Sequence, residues 1–289
     1  MKIGLVLEGG GFRGLYTAGV LDYFLDQNWH FPYVIGVSMG TVNGVNYISK
    51  QKGRSIDIPS EFLFDSRYFS YKNLITKGSL FGMDFIFGDI PRIHNVFDIK
   101  TFRASDQEFV ITAMDVQFGG SKYFRKDELD DDEMLEVLKA SCSLPFISKM
   151  VTFRGKKYLD GGLSDSVPVK KAFEDGVDKV IALVTREKGY RKEVKEPNLL
   201  KVGSGNLRYR GYPKVVEAIN NRSVAYNKEL EYMEDMVEAG KVLVIYPKEE
   251  IDMGRTERNR DKLWKCYKDG YNRGRELHHE ITAFASIDS

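Results

Sequence analysis

Three short stretches of this chain carry residue types and spacings that suit acyl chemistry. The first is Gly36-Val37-Ser38-Met39-Gly40, which sits where an apolar run, residues 32–37, meets a helical pattern over 38–50. A G-x-S-x-G sequence at a strand-to-helix joint is the context of a nucleophile elbow. The turn is sharp, the small neighbours Gly36 and Gly40 make room, and the serine hydroxyl is thrust outward. Taken alone, Ser38 also reads as an ordinary helix N-cap. The second stretch is Gly9-Gly10-Gly11-Phe12-Arg13-Gly14, between an apolar run and a helical pattern. Consecutive glycines let backbone N–H groups converge on one cavity, and a following helix adds its positive end. Such a cradle suits an oxygen that is negative only in a transition state. Read as Gly9-x-Gly11-x-x-Gly14, the same residues fit a dinucleotide fingerprint, but the second apolar run ends in Gly36-Val37-Ser38 without the acid that fingerprint requires. A non-enzymatic module that binds nucleotide or phosphate on this loop is therefore the competing reading.

A serine nucleophile needs a base. The chain has four histidines, His30, His94, His278 and His279. The last two lie among charges, next to Glu276 and Glu280, where a solvated helix face is the plain reading. The order Ser38, Asp160, His278 keeps a histidine triad as a rival. Against it, Ser38 follows only the second strand-like run. The third stretch, Tyr158-Leu159-Asp160-Gly161-Gly162, offers Asp160 at the tip of an apolar strand with free space around it. An Asp-Gly turn is the plain alternative there.

These three stretches, in this order, resemble the patatin-like phospholipase family, whose pattern is G-G-G-x-R-G, then G-x-S-x-G, then D-G-G or D-G-A. The small-residue and proline segment Ala140-Ser141-Cys142-Ser143-Leu144-Pro145-Phe146 also looks like the family's segment ahead of its aspartate. The resemblance runs from residue 3 to about residue 185. It implies a three-layer α/β/α fold on a mainly parallel sheet, and a Ser–Asp dyad without histidine. Ser38 would attack the acyl carbonyl with Asp160 as base. Gly9, Gly10 and Gly11, helped by Arg13, would hold the oxyanion, and Gly36, Met39 and Gly40 would shape the elbow. The implied substrate is a lipid ester, with transient contact at a membrane surface and no metal or cofactor. The chain departs from the family pattern at Leu163-Ser164-Asp165-Ser166-Val167-Pro168, where asparagine often precedes proline. Asp165 reads as a second acid near the site or, with Ser166, as a cap for a helix starting near Pro168. Thr41 stands where alanine is usual and is expected to tighten the turn. Arg13 also has a structural reading, as an ion-pair partner.

The elements that must position these residues follow from hydrophobic pattern. Short, fully apolar runs at residues 3–7, 32–37, 179–185 and 241–247 read as buried strands, and 14–27 and 38–50 as helices. Strands alternating with helices through short joints imply a parallel sheet covered on both faces. Further strands are expected at 108–116 and 121–125, a hairpin at 151–159 turning near Gly155, and a helix at 131–141 with an acidic first turn. Residues 212–239 and 255–285 read as long helices, and 187–212 as a polar loop. The chain is expected to be a single domain over 1–289, with an aromatic-rich insert at 59–91 and a helical region over 212–289. That insert reads equally as an acyl-chain wall, a lid or plain core. With 43 basic and 42 acidic residues the formal net charge is +1, which leaves no electrostatic footprint for nucleic acid. Two cysteines, Cys142 and Cys266, make no disulfide framework or metal spacing. The first residues lack the pattern of a secretory signal, and no uninterrupted apolar stretch reaches the roughly 18–20 residues that span a bilayer. The expected setting is cytoplasmic.

Overall fold

A computed structural model describes residues 1–194, 208–254 and 256–287. The apolar runs form the centre of one mixed sheet. Strands β1 (Ile3–Leu7) and β2 (Tyr33–Val37) are buried along their whole length. Strands β3 (Glu108–Asp115), β4 (Ser121–Arg125), β5 (Val151–Phe153), β6 (Lys156–Asp160), β7 (Lys179–Leu183) and β8 (Val242–Ile245) complete it. Their order is β5-β6-β3-β2-β1-β7-β8, with β4 also on β3. Pairs β1–β2, β1–β7, β2–β3 and β7–β8 are parallel, while β3–β4, β3–β6 and β5–β6 are antiparallel.

Strand side chains alternate between faces, and each face has its own cover. Leu5 and Leu7 join Leu15, Phe24, Phe109, Ile111 and Leu263 in one core, whereas Val6 joins Ile35, Val180, Ala172, Tyr226 and Leu230 in the other. The first face is covered by helices α1 (Gly14–Asp26), α2 (Met39–Ile48), α3 (Arg54–Phe62), α4 (Tyr71–Lys77), α5 (Ile99–Ala104) and α6 (Asp131–Ser141). The second is covered by α7 (Val169–Glu174) and α8 (Pro213–Glu238). Helices α9 (Arg260–Glu276) and α10 (His278–Ala285) return to the first face. The result is the expected α/β/α arrangement on a mostly parallel sheet.

Local chemistry sets several ends. Asp130 and Glu133 form a reciprocal capping box that starts α6, and Asn259 accepts from Asp261 and Lys262 N–H at the start of α9. The pattern over 255–285 is not one helix. The chain breaks at Leu277, and the bend carries His278 Nδ1 to 2.8 Å from Tyr23 Oη. Helix α7 starts at Val169 without a side-chain cap, so neither Asp165 nor Ser166 plays that part. Asp165 instead accepts from Tyr123 Oη at 2.7 Å, and Ser166 Oγ donates to Gly162 O at 3.1 Å. Of the polar loop expected over 187–212, residues 195–207 lie outside the described residues.

Helix α9 lies directly on α1. A Cβ on Gly19 would stand 2.0 Å from Tyr267 O, and one on Gly270 would stand 1.9 Å from Tyr16 O. Any side chain at either position would force the backbones apart. The aromatic insert folds as α3, α4 and a π-helix, Phe85–His94. Phe62, Tyr68, Phe69, Leu80 and Phe85 are buried in it, while Phe64, Ile75 and Ile93 are exposed.

Candidate active site

Ser38 follows the last residue of β2 and precedes α2. Its backbone sits at φ 54°, ψ −125°, a region that costs an L-residue about 1–3 kcal/mol and persists only where the surroundings impose it. Here they do. A Cβ on Gly36 would come within 2.7 Å of Gly40 C and Thr41 N, and one on Gly40 would come within 2.2 Å of Leu7 O. Only glycine lets the turn fold this tightly against β1. Ser38 N–H donates to Ser141 Oγ at 2.9 Å, and Ser141 Oγ donates to Thr112 O at 2.7 Å. Thr41 Oγ1 donates to Ser38 O at 2.5 Å. The threonine found in place of alanine thus braces the turn, as expected. Ser141, from the small-residue segment, ties it to β3.

Asp160 ends β6 and is buried. Its Oδ1 accepts from Gly162 N–H at 2.8 Å, and its own N–H donates to Ser143 O at 2.9 Å. Strand register sets it across β3 from the Ser38 turn. On β3, Thr112 pairs with Val37 and the next residue, Ala113, pairs with Asp160. Neighbouring rungs, about 3.3 Å apart, therefore lead to both residues. The Cys142 thiol lies within reach of Ser38 and Thr41 and in the field of Asp160, and burial, then the Asp160 charge, pushes its pKa up.

Gly9 and Gly10 follow β1, and Gly11 opens a single 3-10 turn, Gly11–Arg13. A Cβ on Gly9 would stand 3.1 Å from Ser38 Cβ, so the loop lies against the serine. Gly11 has φ 55°, the left-handed region that favours glycine. Arg13 is partly buried, and burial, then the neighbouring Arg186, lowers its pKa. Among the described residues no carboxylate forms an ion pair with it, and Glu8 acts on it only through its charge. Met39 packs over Gly14, whose Cβ would meet Met39 Cγ at 2.6 Å.

Ser38, Asp160, Gly9, Gly10, Gly11, Arg13 and Met39 all line one cavity of about 570 Å³. It has two arms. One is apolar, walled by Val45, Ile58, Pro59, Phe81, Phe87 and Leu138. The aromatic insert is thus both core and cavity wall. The other arm is polar and includes Arg13, Arg186, Tyr190, Lys192, Arg222 and Tyr226. Its floor is Glu8, which accepts from Tyr226 Oη at 2.7 Å and Thr185 N–H at 2.5 Å.

No histidine lines the cavity among the described residues. His278 packs on Trp29 and Tyr23, His94 on Phe62 and Phe85, and His30 pairs with Asp106. His279 is exposed, while His278 is only partly so. Asp165 does not line the cavity either. The described residues hold no cluster of His, Cys, Asp or Glu that suits a metal. No described helix is long and apolar enough to cross a membrane.

Helix α8 fastens the segment after Asp160. Arg222 Nε donates to Gly162 O at 3.0 Å, and Glu229 accepts from Ser166 and Val167 N–H at 2.9 and 3.2 Å. No motif marks Lys192, Arg222, Tyr226 or Glu229 in the sequence, and Ser141 is marked only through its small-residue segment. Burial, and then Asp165, pushes the Glu229 carboxyl up to about 8. Its folded pKa thus exceeds its usual value of 4.5. The contribution to stability is therefore complete below that value and is lost as pH rises through about 8. Urea denaturation from pH 5 to 8.5 is expected to show wild type losing stability relative to Glu229→Gln, which keeps an acceptor for Ser166 and Val167. Parallel curves for the two proteins would contradict the raised carboxyl.

Residues 5–173 match the family model described as patatin-like phospholipase. Residues 212–286 match a second model, described only as a domain of unknown function. An uncharacterised protein of Escherichia coli, YjjU, is 29% identical over 64% of this chain and 52% of its own length. A 1-acylglycerol-3-phosphate O-acyltransferase of Mus musculus is 29% identical over 58% of this chain and 41% of its own length. A probable lipid hydrolase of Invertebrate iridescent virus 6 is 24% identical over 66% of this chain and 72% of its own length. The chain thus spans about half the length of the first two relatives.

Proposed function

Because the chain belongs to the patatin-like phospholipase family, we propose that it hydrolyses carboxylic esters of lipids through a Ser38–Asp160 dyad and an acyl-enzyme. Asp160 takes the Ser38 Oγ proton as Oγ attacks the acyl carbonyl carbon. The tetrahedral oxyanion is met by N–H groups of Gly9, Gly10 and Gly11 and by the Arg13 charge. Collapse breaks the ester C–O bond, and the proton held by Asp160 goes to the leaving alkoxide. Water then attacks the acyl-enzyme, with Asp160 again as base, and releases the fatty acid and free Ser38.

One observation carries this reading: the strained Ser38 turn, the glycine loop and Asp160 share a cavity whose other wall is an apolar arm fit for an acyl chain. The packing of α8, α9 and β8 onto the rest of the sheet supports treating the chain as one functional unit. Exposed Phe64, Ile75 and Ile93 on the aromatic insert suit brief contact with a lipid surface. Free thiols at Cys142 and Cys266 fit a reducing setting such as the cytoplasm.

The test is labelling with a fluorophosphonate probe, followed by a panel of lipid esters. Probe on Ser38 and release of fatty acid are expected. An unlabelled protein that binds nucleotide saturably would overturn the reading in favour of a binding module. The double variant His278→Ala/His279→Ala is expected to hydrolyse esters at close to the wild-type rate, since neither ring lines the cavity. Loss of turnover in a folded double variant would restore a histidine base.

A further inference from the structure

Helix α8 lies outside the stretch matched to the patatin-like model, which ends at residue 173, and within the region matched only to a domain of unknown function. Arg222, Tyr226 and Glu229 stand at i, i+4 and i+7 on it, so they share one face. Each bonds to a segment that carries site residues. Arg222 and Glu229 hold the segment after Asp160, at Gly162 O and at Ser166 and Val167 N–H. Tyr226 holds the entry to the glycine loop, where its Oη donates to Glu8 Oε1 at 2.7 Å.

Glu8 joins β1 to Gly9, and both Glu8 and Tyr226 are buried. The second carboxylate oxygen accepts from Thr185 N–H at 2.5 Å and from Thr185 Oγ1 at 3.1 Å. Thr185 in turn presses on the loop, since a Cβ on Gly10 would stand 2.7 Å from Thr185 Oγ1. The loop is therefore fixed from behind, at Glu8 by hydrogen bonds and at Gly10 by contact. This matters because three consecutive glycines have no side chains with which to fix themselves, and glycine is the most freely moving residue. Donors to an oxyanion work only when they are already aimed at the place where charge develops. A buried carboxylate, for its part, is costly unless donors meet its oxygens, and α8 supplies the donor on Oε1. Tyr226 borders the cavity, but its single hydroxyl proton is committed to Glu8 and is not free for an ester. The ring is packed as well: Lys192 Nζ lies 3.4 Å from its centroid, and Tyr190 stands across it at 6.3 Å and 74°. Asn227, the next residue, fixes the Lys192 backbone with two bonds of 2.9 Å.

We propose that Tyr226 is a positioning residue for the oxyanion loop, acting through Glu8, and that one face of α8 thereby braces both the loop and the Asp160 segment. This rests on the hydrolase reading above. It gives the region of unknown function a task in the reaction without placing any of its residues on the ester.

The test is Tyr226→Phe in the full chain, which keeps the ring and removes only the hydroxyl. On a short p-nitrophenyl ester, kcat is expected to fall about 10- to 100-fold with KM within about twofold, because small displacements of catalytic donors cost that much. Affinity for an alkyl trifluoromethyl ketone, which forms an oxyanion on Ser38, is expected to fall by the same factor. Affinity for the matching methyl ketone, which stays a neutral carbonyl, is expected to hold. Amide hydrogen exchange is expected to quicken over residues 8–13 and to stay as in wild type over β6. Unchanged kcat and unchanged exchange overturn the brace. So does an equal loss of affinity for both ketones, which a merely loosened cavity produces. Where Tyr226→Phe melts well below wild type, the double variant Glu8→Gln/Tyr226→Phe replaces it, since no buried charge is then left without its donor. The same loss of kcat is expected there, and wild-type turnover in the folded double variant overturns the brace. Faster exchange over residues 8–13 in Tyr226→Phe, with no fatty acid released by the unsubstituted chain, leaves the brace standing and removes the hydrolase reading. Hydrolysis by wild type that Tyr226→Phe matches removes only the brace.

Discussion

Ser38→Ala is expected to lower kcat on a short p-nitrophenyl ester by about 10⁴-fold or more, equivalent to about 5 kcal/mol or more of transition-state stabilisation. The loss is expected to be chemical and not structural. Alanine keeps the Cβ, and the bond to Ser141 is made by the backbone N–H. The positive φ is imposed by contacts at Gly36 and Gly40. Thermal melting should therefore stay close to wild type while turnover and probe labelling vanish. Ser38→Gly sharpens the point. It is expected to be equally inactive, yet at least as stable as the alanine variant, because glycine occupies φ 54° without strain. A folded alanine variant that still turns over the ester would end the case for this nucleophile.

Asp160→Asn is expected to reduce kcat by about 10³-fold or more. The amide is isosteric, and its oxygen still accepts from Gly162 N–H, as Asp160 Oδ1 does at 2.8 Å. What it lacks is the ability to take the Ser38 proton. The expected signature is a fall in kcat with little change in KM, because the interaction removed is made only as the proton moves. Full activity in this variant would eliminate the dyad and require a base elsewhere. Circular dichroism on the same sample separates that outcome from misfolding of the β6 tip.

Much of the architecture is legible in the sequence because the parallel strands are buried on both faces and read as unbroken apolar runs. Ile3–Leu7, Tyr33–Val37 and Lys179–Leu183 appear within one or two residues of their expected ends. The strand–glycine–helix context of Ser38 is legible for the same reason. The register that sets Asp160 across β3 from the Ser38 turn is not, because it depends on the antiparallel pairing of β6 with β3, a long-range pairing that local pattern does not encode. The polar arm is hidden for a related reason. Lys192 stands in a stretch that composition marks as loop, and Arg222 on a helix whose charges resemble a solvated face. Only folding reveals that both turn inward. The break at Leu277 also escapes the periodicity, since both halves keep an apolar stripe.

The contact between α1 and α9 limits how the chain can be divided. Helix α1 follows the glycine loop directly, and Gly19 and Gly270 let its backbone touch that of α9. A fragment ending before α8 would bare this seam, leave β7 without β8 along one edge, and release the segment after Asp160. Unpaired strand edges and apolar seams seed self-association. Such a fragment, expressed alone, would therefore be expected to report on aggregation before it reported on catalysis, and the family-matched region, which stops at residue 173 and lacks β7 as well, still more so. For the same reason, exchange of catalytic regions between relatives would have to carry the C-terminal helices along with helix α1 and the segment after Asp160 that they hold.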